Sequence, residues 1–427
     1  VSDAPRPRRR IFHGWWIVAA SIIGLSTNPG QFAFASLSLF IIPLNEAFGW
    51  KRAEVSLAST IFTITLAVSM PVVGRLVDRF GAKRVLIPSV AAFGLLLAAV
   101  AACTRLWQLY AVFLLIGSLG AGANALPFMR IISAWFDRRR GLAMGIAMAG
   151  GGLGYAYVPP LVQYMIDGYG WQAGYFALAA IVLLLSVPSI WLFVRETPRE
   201  LGLAPDGDAA IDTGSTAGPT TPVAGLDRRE ALRSRAFWLL TFVFFTLSFS
   251  LYGLLQHLVP MLRDRGMAGS AAALAASSMG MTIVFARVAI GYLVDRFFAP
   301  HVALACFSVS ALGVAMLAAG AVGAPAYVAA VLVGISLGAE IDLLAFMTSR
   351  YFGMRCFGEV YGLLFASFLA GASIGPVAYG ATYDGSGSYV SVLLASCVLI
   401  AAACAVTARL PRYPKLDEDR IRKAVEA

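Results

Sequence analysis

Long apolar stretches alternate along this chain with short knots of charge, glycine and proline. At ~1.5 Å of rise per residue, about 20 apolar residues cross a ~30 Å hydrocarbon core as a helix. The stretches are too long for barrel strands, so each predicts one spanning helix. The first follows the interfacial pair Trp15 and Trp16 and runs to Pro43. The next five fit residues 53–75, 85–103, 107–129, 141–165 and 172–194. Residues 195–235 break the pattern: a Gly/Pro/Thr/Ser/Asp-rich stretch at 203–225 precedes the basic segment LDRREALRSR. Such a composition predicts a flexible linker followed by a surface helix. Six more spans fit 237–262, 270–294, 300–320, 325–348, 358–381 and 388–409. The expected organisation is a six-helix bundle over 1–194, a cytoplasmic linker over 195–235, a second six-helix bundle over 236–410 and a charged tail over 411–427.

Composition agrees with this reading. The chain is 59% hydrophobic and only 13% charged, against about 25% charged in soluble domains. The first apolar run, from Ile11 to Leu44, is too long for the core of a cleavable signal peptide and lacks a cleavage site. The net charge of +10 does not argue for nucleic acid, because it follows from where the basic residues sit. An even number of spans leaves both termini on one side. Of 33 lysines and arginines, only Lys51, Arg52, Arg105, Arg263 and Arg265 fall in loops of the other side. The positive-inside rule then places both termini in the cytoplasm, and a bacterial inner membrane is the expected location. Cys103, Cys306, Cys356, Cys397 and Cys404 have no paired spacing and read as buried thiols, so neither a metal nor any other cofactor is expected.

The chain also repeats itself at an offset of 217 residues. GRLVDRF at 74–80 returns as GYLVDRF at 291–297; Pro43 pairs with Pro260, Gly154 with Gly371, Pro159 with Pro376 and Asp167 with Asp384. One offset over most of each half implies two bundles of the same orientation, related by an axis along the membrane normal. Such an arrangement places a substrate near the midplane, between the halves. The repeat also separates scaffold from chemistry. Arg287 corresponds to Met70, His257 to Phe40, and Glu340 to Asn124 with a shift of one, so these polar groups belong to one half only.

Arg287 lies in an apolar run, eight residues before the edge pair Asp295 and Arg296. That spacing puts it roughly 12 Å inside the boundary, where an arginine costs on the order of 2.5–3.5 kcal/mol on insertion scales. Its planar fork of donors suits a carboxylate; the bland alternative is a structural ion pair. His257, three residues before Pro260, is a candidate substrate donor or proton carrier, or else a histidine bonded within the bundle. Glu340 and Asp342 lie in the tenth span, Asp342 eight residues before Arg350. Two residues apart on a helix, they point about 200° apart. One is expected to face the cavity, pairing with Arg287 or taking a proton, with Asp342 favoured for its shorter reach. No nucleotide loop, metal cluster or nucleophile set has recognisable spacing, so an enzyme is not expected.

The segment GRLVDRFGAKR at 74–84 resembles the loop between the second and third helices of the major facilitator superfamily. The resemblance implies an all-α membrane protein with 12 transmembrane helices in two pseudo-symmetric six-helix bundles. It also implies a cytoplasmic gate formed by Gly74, Asp78, Arg79 and Arg84, with Asp295 serving the other half. Within that superfamily, HGWW at 13–16, WFDRRRGLAMGIAMAGGGLG at 135–154 and FARVAIG at 285–291 resemble the monocarboxylate and oxalate/formate branch. There the arginine of the eighth helix, here Arg287, binds the substrate carboxylate. The chain departs from the animal carriers in having no lysine in the first span and Ile283 where they carry an aspartate one turn before the arginine. It departs from the exchangers in having no lysine at 358–381. One deep cation argues for a monoanion. The expectation is a monomeric secondary transporter that moves a small organic anion, a monocarboxylate, by proton symport with alternating access. The alternatives are a carboxylate antiporter, a drug or metabolite exporter, or a membrane ligand sensor.

Overall fold

The computed structural model describes residues 12–136, 139–207, 226–294, 296–353 and 357–413. Asp295, Cys356, the stretch 208–225 and the charged tail from 414 lie outside the described residues. Every spanning element is helical. The first half holds α1 His13–Phe48, α2 Arg52–Phe80, α3 Ala82–Ala101, α4 Leu106–Trp135, α5 Arg140–Tyr169 and α6 Trp171–Phe193. The second holds α7 Arg235–Asp264, α8 Gly269–Val294, α9 Ala299–Ala318, α10 Ala324–Phe352, α11 Phe357–Ser386 and α12 Val390–Ala408. Among the described residues, 11 of these stretches are long and apolar enough to cross a membrane, and α5, at 30 residues, completes the set by position. The start of α1 and the end of α12 share one face, called here the termini face; the opposite one is the far face.

Large apolar side chains point outward, among them Val68, Leu184, Phe285 and Val398. Lipid tails solvate such side chains as well as a protein interior does, so helices in a membrane associate through close packing and polar bonds instead. Both devices are visible. Gly280 of α8 lies against the Tyr155–Ala156 backbone of α5, leaving no room for a side chain. A Cβ on Gly338 of α10 would stand 2.7 Å from the Ile283 carbonyl of α8. The halves meet along two seams, α2 on α11 and α5 on α8.

Helix ends are tied by carboxylates and hydroxyls. Glu196, just past α6, accepts the N–H groups of Ala82 (2.6 Å) and Lys83 (2.9 Å) and so caps α3. Asp227 opens a short helix, Arg228–Arg233, by accepting from Glu230 N–H at 2.7 Å, and the Ser234 hydroxyl caps α7. Three helices of the first half are irregular at mid-depth; α6 is π-helical over Val182–Ser186, and the other two, α1 and α4, border the site. The chain of α1 is π-helical over Gly30–Ala35. In α4 a 3₁₀ turn over Gly120–Ala123 leads to an extended Asn124, with φ −83° and ψ −177°. Irregular backbone at this depth is tolerated where it is buried in protein or lines a cavity, and π-helical turns recur at functional sites.

Candidate functional site

The irregular segments of α1 and α4 wall a cavity of about 170 Å³ between the halves. From the first half it receives Asn28, Gln31, Asn124 and Tyr155; from the second, Tyr252 and Arg287. The amides follow from the local backbone. Asn28 takes the Gly30 N–H on its Oδ1 (2.8 Å), and Asn124 donates to the Ala121 carbonyl (3.2 Å), each serving a turn where the helix has given up its own bonds. Gln31 is buried, and its Oε1 has no hydrogen-bond partner.

Arg287 also borders a larger, mainly apolar chamber of about 630 Å³. That chamber runs between α5 and α8 toward the termini face, past Met144, Val288 and Tyr292. The arginine side chain is 25% exposed, and its Nε stands 3.2 Å from Oδ2 of Asp342, itself 44% exposed. The Nε is buried, and the contact falls short of full hydrogen-bond geometry. Among the described residues, no hydrogen bond engages the terminal guanidinium nitrogens. Glu340 lies on the other side of α10, wholly buried, with both oxygens lacking a complete hydrogen bond. The groups within its electrostatic reach are Tyr252, Tyr155 and Arg287.

His257 is elsewhere. It lies closer to the far face, wholly buried among Ser56 of α2, Pro376 of α11 and Tyr389, just before α12. Its Nδ1 is 3.0 Å from the Tyr389 hydroxyl; its Nε2 is 2.9 Å from the Pro376 carbonyl and 3.1 Å from Ser56 Oγ. It does not line the Arg287 cavity. Next to it is a second arginine that sequence reasoning missed. Arg52, at the start of α2, reaches across to the other half. Its Nη1 and Nη2 donate to the two oxygens of Asp264 at 2.6 and 2.8 Å, Nη1 donates to the Tyr389 hydroxyl at 2.7 Å, and the guanidinium lies 3.6 Å over the Tyr383 ring. Asp384 accepts the N–H groups of Arg52 and Ala53 at 3.1 and 2.8 Å, capping α2 from α11. Burial pushes the Tyr389 phenol above its ordinary pKa, so it stands as a neutral O–H donor. A signal was available in the sequence. A cation at a helix start and an anion at a helix end both oppose the helix dipole; Arg52 and Asp264 are such a pair on the same face.

At the termini face, Asp78 pairs with Arg130 of its own half, and both side chains are largely exposed. Arg79 lies over the Phe80 ring, Arg84 is exposed, and Gly74 faces open space. Among the described residues no ion pair joins the halves there, and Asp295 is outside them.

The comparisons with known proteins point one way. The sequence profile of the Major Facilitator Superfamily matches residues 23–376 and again 259–426. Mouse monocarboxylate transporter 11 is 28% identical over 432 residues, covering 96% of this chain and 90% of that protein. The MFS transporter asaE of Aspergillus flavus is 24% identical over 348 residues, 80% of this chain and 74% of that protein. Among solved structures, a bacterial homologue of the human lysosomal transporter Spinster, in an inward-facing and unoccupied conformation, superposes with a TM-score of 0.68 at 15% identity, covering 94% of this chain and 97% of that one.

Proposed function

Since this chain belongs to the major facilitator superfamily, we propose that it is a secondary active transporter that carries a small organic anion, a monocarboxylate, across a cell membrane together with a proton. In this reading the membrane is the inner membrane of a bacterium, both termini are cytoplasmic, the chain acts as a monomer, and the halves alternate in exposing the central cavity. The observation that carries the reading is the state of Arg287: a cation between the halves, held by one imperfect contact to Asp342, with its terminal nitrogens unengaged. The similarity to monocarboxylate transporters over nearly the whole chain supports the same class.

Charge accounting gives the coupling. Before substrate arrives, Arg287 and Asp342 face each other and are neutral as a pair. An arriving carboxylate takes the guanidinium fork in two parallel bonds and displaces Asp342. The freed aspartate is then an uncompensated charge in a low-dielectric passage, which is costly. One proton on Asp342 restores neutrality, so the loaded site carries one anion and one proton. A dianion would leave an extra charge, and Arg287 is the only cation among the described residues lining either cavity. Glu340, buried on the far side of α10, is assigned to packing. Gly74, Asp78, Arg79 and Arg84, with Asp295 opposite, are assigned to a cytoplasmic gate that closes when the termini face comes together. Calorimetric titration of the purified protein tests the class: monocarboxylates are expected to bind, whereas matched amines and dicarboxylates are not. Binding of the amines alone would replace this reading with that of a cation or drug exporter.

A further inference from the structure

The hydrogen bonds around His257 fix both its tautomer and its charge. The Pro376 carbonyl can only accept, so Nε2 carries the proton and donates to it at 2.9 Å, with Ser56 Oγ beside it at 3.1 Å. Nδ1 is therefore the bare nitrogen and accepts the Tyr389 O–H at 3.0 Å. The same phenol oxygen accepts from Arg52 at 2.7 Å. The donors run in one direction, from Arg52 to Tyr389 to His257 to Pro376, and the run completes only with a neutral imidazole. It joins α2 of one half to α7, α11 and the residue before α12 of the other, next to the Thr60 hydroxyl, which donates to the Ser373 carbonyl at 2.6 Å.

A proton on Nδ1 would oppose this arrangement. Two donors, Arg52 and the imidazolium, would then converge on the Tyr389 oxygen, whose own O–H would have no acceptor. The charged and titratable groups around His257 are Arg52 from α2, Asp264 further along α7, Tyr379, Tyr383 and Asp384 from α11, and Tyr389 before α12. Asp264 and Asp384 have their oxygens engaged by Arg52 and by the start of α2, and among the described residues neither forms an ion pair with His257. The closed far face thus has no hydrogen-bond arrangement for a second proton on His257, and separating the halves would open the imidazole to water, where a histidine takes up a proton at about pH 6.5.

We propose that His257 is the positioning residue through which acidity on the far side opens that face. It acts by giving up the Arg52–Tyr389–His257 relay when protonated, and it does not touch the substrate. The inference rests on the alternating-access part of the functional reading, not on the identity of the anion. By linkage, a group that binds a proton only in the open state changes the ratio of open to closed by about tenfold between pH 7.5 and 5.5. The closed state is favoured at the higher pH and loses its advantage as pH falls.

The test measures the far face directly. Spin labels at Glu46→Cys and Val322→Cys, exposed far-face positions in opposite halves, are introduced after the five native cysteines are replaced by serine. Distance distributions are recorded for the full chain in nanodiscs at pH 7.5 and 5.5, without substrate. The expected result is a long-distance population whose ratio to the short one rises about tenfold at pH 5.5. His257→Gln, whose amide can donate to Pro376 and accept from Tyr389 without titrating, should keep the closed population and lose the pH response. Tyr389→Phe, which removes the link but keeps the ring, should raise the open population already at pH 7.5. A pH response of full size in His257→Gln, or no response in the parent, overturns the proposal. Failure of anion binding together with an intact, His257-dependent response would overturn the substrate reading and leave this one standing.

Discussion

Two arginines sit between the halves of this molecule, and they are held in opposite ways. Arg52 is saturated: a bidentate carboxylate, a phenol and an aromatic face surround it, all from the other half. Arg287 has one charge contact of 3.2 Å and opens on cavity. Burying a cation in a membrane protein demands compensation. Where the protein supplies all of it, the cation is a fastener. Where the protein supplies part, the remainder is available to a ligand. The same contrast separates the faces: polar bonds cross between the halves at the far face, whereas at the termini face the described ion pair, Asp78 with Arg130, stays within one half.

The contrast breaks most visibly at Asp342. Asp342→Asn should remove the group that exchanges Arg287 for a proton. Accumulation driven by a pH gradient is expected to fall to equilibration while one-for-one exchange of anion continues, measured in proteoliposomes. Glu340→Gln should instead leave accumulation intact and alter thermal unfolding, since its carboxyl is wholly buried and does not line the chamber. Next in size is Arg287→Lys. The charge survives but the fork is lost, and forfeiting one charged hydrogen bond of about 1.5–3 kcal/mol weakens carboxylate binding roughly 10–150-fold. Arg52→Lys should leave that affinity within about threefold. A smaller effect is expected at Asp264→Asn. The pair it breaks lies between exposed pairs, worth ~0–1 kcal/mol, and fully buried ones, whose breakage costs ~3–5 kcal/mol. A cost of about 1–2 kcal/mol would multiply the open-to-closed ratio at the far face by roughly 5–30, readable from the same spin-label distances. The smallest effect belongs to Asp78→Asn. Its partner contact is solvent-exposed, so unfolding should move by under about 1 kcal/mol, and any larger change in transport would mark a role in closing the termini face.

What the sequence made legible was one-dimensional. Spans, the repeat and the depth of Arg287 can be counted along the chain, because a hydrocarbon core turns distance along a helix into depth. The opposed directions of Glu340 and Asp342 follow from helix pitch alone. The partners of Arg52 are 212 and 337 residues away, and no local pattern reports them. His257 shows the limit of reading polarity without depth. Counted back from Asp264 it lies roughly 10 Å inside the opposite boundary, nearer the far face than Arg287, and its three partners come from helices that only the packed bundle brings together. Gln31 was equally hidden, since its direction depends on a π-helical turn that apolar periodicity does not announce.

The most direct test of the contrast between the two arginines is uptake of a labelled small monocarboxylate into proteoliposomes, with and without an acidic exterior, for the parent protein and for Arg287→Lys. The expected result is uptake in the parent that rises above equilibrium only when the exterior is acidic, and loss of that uptake in the lysine variant although it folds and inserts normally. Equal uptake by the two proteins, or gradient-driven movement of organic cations with none of anions, would contradict the assignment of Arg287 as the group that takes the carboxylate.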